Sequence, residues 1–347
     1  MLAAINQEHI VQLTQPRTSE ALALDYGVQS TFLSKLDVQQ KLQIFDLTAR
    51  ASRELHRWAA RYPLIRRVRV WPLSLSVAAA APFAGLEALV TMAKMSLWIF
   101  TIDDLFDEEI VPFTELQRRV DCYKTILTGV GTEQRCKHDT LALALKDIRD
   151  DLKSHKLFFA LHDRWAGAAI RTLDGMMHEH EWRAMYRLGR NDLSVPDYAT
   201  YVQYATYSIG GPPVMWTGMI TFGDQSVLHF LEKLQHLTET ASLCLRLAND
   251  LRSRSKEVIE DNVNSVVIRQ REAISKGYRK DESLARACEV VQQDIQSGLA
   301  RCAELQSQTL TNTGHPERMI VDIARFVCDF YVHHDYHTFM TSTGRSA

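Results

Sequence analysis

The densest group of acidic side chains in this sequence follows directly after an apolar stretch. Five carboxylates fall within seven residues: Asp103, Asp104, Asp107, Glu108 and Glu109. If the segment is helical, Asp103 and Asp107 share one face, because residues four apart lie above one another on a helix. Like charges at that spacing destabilise the helix unless something neutralises them. Grouped carboxylate oxygens are hard ligands that suit Mg²⁺, so the pattern predicts a magnesium site.

A second group of oxygen-bearing side chains lies later in the chain. Asn249, Ser253 and Glu257 follow one another at four-residue steps, so on a helix they line one face and form a three-point oxygen chelate. Arg246 lies one turn earlier on that face, and Lys256 adjoins Glu257. A divalent metal flanked by cations suits a diphosphate, whose negative charge increases as it leaves. This group therefore predicts the other half of a metal and diphosphate site.

The elements that carry these groups are predicted to be helices. Apolar residues recur at helical spacing, and no segment alternates with the two-residue period of a strand. The pattern predicts an all-α protein, with helices at about 38–60, 115–127, 139–154, 156–188, 226–258, 280–309 and 316–340. Prolines and charged residues interrupt the long apolar tract 70–102, so we expect a pair of buried helices there rather than a membrane span. The segment 261–276 is predicted to be a loop.

A break is predicted in the helix that begins near Pro196. Tyrosines recur along this helix at a three-residue step, a stripe that favours packing over catalysis. Two glycines and two prolines, from Gly210 to Pro213, then interrupt the helical pattern. Backbone carbonyls released at such a break have no helical partner, so we expect those of Ile209 and Gly210 to face a cavity.

Composition narrows the class of protein. The 347 residues carry a formal net charge of −2, with 46% hydrophobic and 24% charged residues, which is typical of a soluble globular protein. The absence of a basic excess argues against nucleic acid as the main partner. The first residues lack the basic and apolar regions of a signal peptide. Six scattered cysteines without paired spacing predict reduced thiols, and hence a cytoplasmic protein.

The two oxygen-rich groups together resemble the metal-binding motifs of class I terpene synthases. Asp103-Asp104-Leu-Phe-Asp107 matches the DDxxD motif of that family, and the segment from Asn249 to Glu257 matches every fixed position of its NDxxSxxxE motif. The resemblance extends from about Trp58 to the C-terminus. It implies a single-domain α-helical bundle around a central apolar cavity, with residues 1–40 as an N-terminal arm and 41–347 as the class I α-domain.

The resemblance also implies a reaction. Three Mg²⁺ ions, held by Asp103 and Asp107 on one side and by Asn249, Ser253 and Glu257 on the other, would draw diphosphate from a prenyl diphosphate. Asp104 is counted among the catalytic residues, and Arg246 and Lys256 are the expected diphosphate ligands. The carbocation left behind would cyclise in a dry pocket lined by side chains that exclude water or stabilise positive charge. The expected pocket residues are Trp98, Phe100, Tyr204, Tyr207, Ile209, Gly210, Trp216, Phe330 and Tyr331.

Further details of the resemblance concern substrate and partners. Ala205 stands where many bacterial members carry an arginine that senses diphosphate. The break after Ser208 and the tail around Phe330 look more like plant-type diterpene enzymes, which favours a C20 substrate, either geranylgeranyl diphosphate or a bicyclic diphosphate from a separate class II cyclase. Farnesyl diphosphate is the alternative. Arg66, Arg67 and Arg69 lie where plant members carry a basic motif, and analogy with the family suggests a homodimer.

Three other interpretations of the sequence compete with this one. A chain-elongating prenyl diphosphate synthase shares the helical bundle but carries a second aspartate-rich motif where this chain has Asn249 and Ser253. A non-catalytic helical protein could use the acidic cluster to bind Ca²⁺ or a basic partner, which leaves the second chelate unexplained. The histidines at 178, 180, 333, 334 and 337 suggest zinc only superficially. His178 and His180 are two residues apart and point in different directions on a helix, and the set 333, 334 and 337 lacks the neighbouring cysteines of a typical zinc site.

Overall fold

The computed structural model of the protein describes residues 28–107, 112–131, 133–187, 196–259, 262–336 and 339. Two residues of the acidic cluster, Glu108 and Glu109, and most of the expected N-terminal arm lie outside these ranges. The described residues form helices and connecting turns with no strand, as predicted. In chain order the helices are α1 (Thr31–Ser34), α2 (Val38–Ala59), α3 (Val70–Ala80), α4 (Leu86–Asp107), α5 (Phe113–Thr128), α6 (Thr140–Lys153), α7 (Phe158–Arg187), α8 (Tyr198–Ser208), α9 (Gly211–Phe222), α10 (Leu231–Ile259), α11 (Ser265–Ser275), α12 (Lys280–Ser307) and α13 (His315–His333).

The apolar tract forms the predicted pair of buried helices. In α3 every residue but one is buried, and most of α4 is buried as well. Because α4 packs against α2, α3, α6 and α9, it has neighbours on several sides. No helix in the described part of the chain is long and apolar enough to cross a membrane. The tract is therefore the centre of the helical bundle.

A helix break forms one wall of the bundle interior, as predicted. The helix α8 ends at Ser208 and α9 begins at Gly211, with prolines in its first turn, where a missing backbone N–H costs little. Between the two helices Gly210 adopts a φ of +77°. A Cβ atom at Gly210 would lie 2.4 Å from Cγ2 of Ile99, so the break also lets α4 approach closely.

The break is tied tightly to α7. The hydroxyl of Thr172 donates a hydrogen bond of 2.9 Å to the carbonyl of Tyr207, in the last turn of α8. A Cβ atom at Gly175 would lie 2.9 Å from the carbonyl oxygen of Tyr204, so the two helices meet backbone to backbone. These contacts make α7 and the end of α8 a single wall.

The segment 261–276, predicted to be a loop, contains the helix α11 instead. Asn264 caps that helix, because its side chain accepts a hydrogen bond from the backbone N–H of Val266. Val266, Ile268 and Ala273 are buried, and α11 packs closely against α12. The short apolar face of α11 is stabilised by tertiary packing, which helical periodicity over eleven residues did not reveal.

Two further expectations differ in detail. Cys122 and Cys136 form a disulfide, because α5 and the short turn after it bring their Cα atoms to 5.7 Å, so the prediction of six reduced thiols is wrong for this pair. The described part of the N-terminal arm packs on the bundle, where the side chains of Ser30 and Thr31 donate hydrogen bonds to Asp329 of α13. The division of the chain at residue 40 stays a prediction, although α2 already begins at Val38.

Substituting Gly210 by alanine should lower the free energy of unfolding by more than substituting Gly129. Both glycines have positive φ, which costs an alanine about 1–2 kcal/mol. Only at Gly210 would the new methyl group also collide with Ile99, which adds about 1–3 kcal/mol, whereas nothing lies within 4 Å of a Cβ at Gly129. Urea unfolding of the two variants measures the difference, and equal losses would contradict the close packing at the break.

Candidate active site

The predicted chelate lies on one face of α10. The side chains of Asn249, Ser253 and Glu257 line a single cavity. The hydroxyl of Ser253 donates to the backbone carbonyl of Asn249 at 2.7 Å and lies 2.8 Å from a carboxylate oxygen of Glu257. Asn264 donates a hydrogen bond to the other oxygen of Glu257, which fixes the carboxylate in place. The local sequence thus holds amide, hydroxyl and carboxylate oxygens together at the cavity wall.

Two carboxylates of the acidic cluster face the same cavity from α4. Asp103 and Asp107 line it together with the chelate on α10. Arg183 of α7 holds Asp107 in place, through a hydrogen bond of 3.2 Å to its carboxylate and one of 2.6 Å to the carbonyl of Phe106. The cavity has a volume of about 80 Å³. The structure therefore brings the two oxygen-rich groups together.

Asp104 is oriented away from this cavity. Its two carboxylate oxygens accept hydrogen bonds of 2.6 Å and 2.7 Å from the guanidinium of Arg69, which is only 1% exposed. Arg66 lies 3.4 Å from the same carboxylate. Asp104 was predicted to be a catalytic residue, but its position does not support that role, because a buried ion pair occupies both of its carboxylate oxygens. Arg69 correspondingly forms part of the core.

Burial and mutual repulsion disfavour ionisation of the cavity carboxylates. Burial raises the pKa of Asp103 well above its usual range, and the carboxylates of Asp107, Asp104 and Glu179 add to the effect. Burial, with a further contribution from Asp250, raises the pKa of Glu257 to about 8. A divalent cation would relieve this repulsion, so the charge distribution fits a metal ion.

The donor set is also suitable for Mg²⁺. No group of three or more His, Cys, Asp or Glu side chains that could hold a metal converges within the described ranges. The chelate on α10 instead combines one carboxylate with the neutral oxygens of Asn249 and Ser253. Such hard oxygen ligands suit Mg²⁺, which also keeps part of its hydration shell. The residues present therefore fit the ion expected from the sequence.

Both predicted cationic residues lie at the cavity. Lys256 lines it from the exposed side, and Arg246 lines it from a buried position. The Nε atom of Arg246 lies 2.8 Å from Asp250 and 2.8 Å from the hydroxyl of Tyr201. Tyr201 in turn donates a hydrogen bond of 2.7 Å to Asp250. The guanidinium is thus held by a buried network behind the cavity wall.

The helix α7 contributes residues to the cavity that were not predicted from the sequence. Glu179, His180 and Arg183 line the cavity. They share one helical face with Met176 at three- and four-residue steps, a signal that was present in the sequence. The histidines on either side of Glu179 were considered only as zinc ligands. No local sequence pattern indicated that this face of a long helix points inward. Ala205, at the position of the missing arginine, is buried in a small cluster with Trp182 and Tyr201.

An apolar cavity of about 70 Å³, the inner cavity, adjoins the first. Four side chains line both cavities and separate them: Ile99, Phe100, Ile209 and Tyr331. Gly210 lines only the inner cavity, whose few polar groups include the hydroxyls of Tyr336 and Ser76, 2.6 Å apart. Four of the predicted pocket residues, Phe100, Ile209, Gly210 and Tyr331, therefore lie where the sequence placed them.

The other predicted pocket residues lie elsewhere among the described residues. Trp98 points to the opposite side of α4, where its indole N–H donates to the carbonyl of Leu141. Trp216 and Phe330 are fully buried and line neither cavity. Tyr207 and Tyr204 line a separate groove on the outer side of α7. Periodicity identified these residues as buried but could not distinguish the core from the cavity, because helices such as α4 are buried on several sides.

Neutralising Asp104 should destabilise the protein far more than neutralising Asp103. The Asp104→Asn variant breaks a buried ion pair, at a cost of about 3–5 kcal/mol in the free energy of unfolding. Asp103 lies instead in a buried position where the carboxylates of Asp107, Asp104 and Glu179 repel its charge, so Asp103→Asn should relieve repulsion and leave the metal-free protein at least as stable. Urea unfolding without metal tests this, with Asp46→Asn in an exposed ion pair as the control. Equal losses at positions 103 and 104 would contradict the assignment.

The sequence is similar to that of known terpene synthases. Residues 94–297 match the family model described as terpene synthase family 2, C-terminal metal binding, a range that includes both oxygen-rich groups. A microbial terpene synthase-like protein 1 of Selaginella moellendorffii is 26% identical over 236 residues, 63% of this chain and 65% of the relative. The kaurene synthase like 2, chloroplastic, of Isodon rubescens is 25% identical over 230 residues, 62% of this chain and 29% of the relative. The chain thus covers less than two thirds of either relative.

Solved structures share the fold. The linalool/nerolidol synthase of Streptomyces clavuligerus has a TM-score of 0.61 at 19% identity, over 82% of this chain and 93% of that one. The 2-methylisoborneol synthase of Streptomyces coelicolor A3(2), in complex with Mg²⁺ and 2-fluoroneryl diphosphate, has a TM-score of 0.67 at 16% identity, over 83% of this chain and 92% of that one. The predicted fold is confirmed. Because the family model matches more than half of the chain, this protein belongs to the terpene synthase family.

Proposed function

We propose that this protein ionises a prenyl diphosphate in a metal-dependent step and converts the resulting carbocation into a terpene hydrocarbon or alcohol, with release of diphosphate. One observation is the main support for the proposal: oxygen-rich faces of α4 and α10 open into one cavity, and an apolar cavity adjoins it. This arrangement suits a substrate with a charged head and an apolar chain. The head would lie between the two faces and the chain would point inward.

The polar residues have distinct roles in this proposal. Bound Mg²⁺ would act as a Lewis acid that stabilises the charge developing on the leaving diphosphate. Asp103 and Asp107 would hold metal on one side, and Asn249, Ser253 and Glu257 on the other, with three ions expected in all. Arg246 and Lys256 would attract the diphosphate, and their positive charge would stabilise it further as it departs.

The apolar residues would protect and guide the cation. Water in contact with a carbocation would quench it early, so the inner cavity must stay dry. The aromatic faces of Phe100 and Tyr331 would stabilise positive charge by cation–π attraction. The carbonyls of Ile209 and Gly210, at the helix break, would add a negative dipole to the wall.

For the substrate we propose a C20 diphosphate. The plant-like segments after Ser208 and around Phe330 support it, as does the similarity to a kaurene synthase-like relative. A bicyclic C20 diphosphate would require a separate class II cyclase to supply it.

The second candidate is farnesyl diphosphate, favoured by the small cavities. At about 80 and 70 Å³ they are below the roughly 150 Å³ that admits benzene, so side chains must move for any prenyl chain and least for a short one. Assembly into a homodimer stays a prediction.

Replacing Asp103 or Asn249 by alanine should each abolish magnesium-dependent release of diphosphate. Each substitution removes one ligand from one face of the proposed metal site, and losses of at least about 100-fold are expected when charge stabilisation of a leaving group is lost. A colorimetric assay of released diphosphate measures the rates. Asp121→Ala, on an exposed position of α5, is the control. Unimpaired release by both site variants would favour a non-catalytic role for the acidic cluster.

Incubation with C10, C15 and C20 prenyl diphosphates should give volatile terpenes only in the presence of Mg²⁺. Gas chromatography of the extracts identifies the substrate, with the C20 diphosphate expected to give the highest kcat/KM. A chelator should stop the reaction, and added Mg²⁺ should restore it. A parallel incubation with isopentenyl diphosphate tests chain elongation, because a longer diphosphate as the product would contradict cyclisation.

A further inference from the structure

Arg246 contacts two anions, and only one of them shares the cavity with the proposed substrate. On one side its Nε atom lies 2.8 Å from Asp250, which is fully buried and does not line the cavity. On the other side its Nη1 atom lies 3.4 Å from the carboxylate of Glu179, which does line it. A diphosphate that enters the cavity could therefore approach Glu179 but not Asp250.

Asp250 is a permanent structural partner of Arg246. Besides its contact with the guanidinium, the carboxylate accepts hydrogen bonds of 2.7 Å from Tyr201 and 3.0 Å from the backbone N–H of Ser265. These bonds come from α8 and α11, so Asp250 holds three helices together from behind the wall. A ligand in the cavity has no access to this carboxylate.

Glu179 occupies a different position. Its carboxylate accepts a hydrogen bond of 2.5 Å from Ser208, at the helix break, and its side chain remains 23% exposed towards the cavity. It belongs to neither of the two predicted metal-binding faces, since it comes from α7. A negative charge at this place repels a diphosphate and at the same time occupies the guanidinium that would bind it.

We propose that Glu179 is a positioning residue that serves as the internal counter-anion of Arg246, competing with diphosphate for the guanidinium. This inference rests on the proposed function, because it needs diphosphate in the cavity. Before substrate binds, the pair keeps the buried guanidinium neutralised and oriented. After ionisation, the carboxylate again pairs with Arg246 as diphosphate departs, which promotes product release, a step that limits the rate of many enzymes.

The proposal predicts that removing the charge of Glu179 strengthens diphosphate binding, whereas removing a metal ligand would weaken it. Glu179→Gln keeps the shape of the side chain and its contact with Ser208 but removes the competing charge. We expect the variant to bind inorganic diphosphate about tenfold more tightly in the presence of Mg²⁺, the factor that one charge-assisted hydrogen bond corresponds to. Isothermal titration calorimetry measures the affinity. We also expect kcat to fall while KM falls or stays unchanged.

Two further variants make the test specific. Glu181→Gln is the matched control, because Glu181 lies on the same helix, is half exposed and pairs with His178 at 3.4 Å outside the cavity. It should leave diphosphate affinity unchanged. In an Arg246→Gln background, Glu179→Gln should no longer tighten diphosphate binding, because the competition requires the guanidinium. Melting temperatures verify that each variant is folded.

Each outcome of these experiments either supports or overturns the proposal. Tighter binding in Glu179→Gln alone supports the proposal. Unchanged or weaker diphosphate binding overturns the proposal, because weaker binding is the result expected if Glu179 is a metal ligand. Equal tightening in the Arg246→Gln background also overturns it. Loss of folding in Glu179→Gln overturns it as well. If the wild-type protein neither releases diphosphate from prenyl substrates nor binds it with Mg²⁺, the proposed function itself fails. If the wild type does both, a negative result with Glu179→Gln defeats this inference alone.

Discussion

The site depends on an imbalance of charge inside a helical bundle. Carboxylates from α4, α7 and α10 converge on one small cavity, and burial and mutual repulsion raise the pKa values of Asp103, Glu179 and Glu257. Ion pairs behind the wall offset part of this charge, and a bound metal would offset the rest. The same imbalance that costs stability is what would make the cavity bind divalent cations.

The ion pairs behind the wall assign different tasks to neighbouring carboxylates. Asp103 and Asp104 are adjacent in sequence, yet Arg69 takes both oxygens of Asp104 and leaves Asp103 facing the cavity. In α10 the same division occurs between Asp250, bound to Arg246 in the interior, and Asn249, at the cavity wall. In both helices one residue of the adjacent pair anchors the helix and its neighbour faces the cavity.

Much of this arrangement follows from the sequence, because four-residue spacing fixes which side chains share a helical face. The oxygen-rich faces were predictable in this way, whereas the buried pair α3 and α4 followed from the interrupted apolar tract and the break at Gly210 from its glycines and prolines. The role of Asp104 was not, since it depends on Arg69, which is distant in sequence and reaches it only in the folded bundle. Glu179 was missed for the same reason. For Trp98 and Trp216, burial was predictable but direction was not, because several neighbouring helices compete to cover the same residue.

The contacts of α7 with the end of α8 have a mechanical consequence. At Gly175 the two backbones are already in close contact, and Thr172 donates a hydrogen bond to the carbonyl of Tyr207, so this side of the enclosure has no spare room between its helices. In the proposed function, room for a prenyl chain would therefore be made on the facing side, by rotation of Ile99, Phe100 and Tyr331 on α4 and α13. The closely packed side, formed by α7 and the end of α8, would keep the polar groups in place while the opposite side adapts its shape to the hydrocarbon.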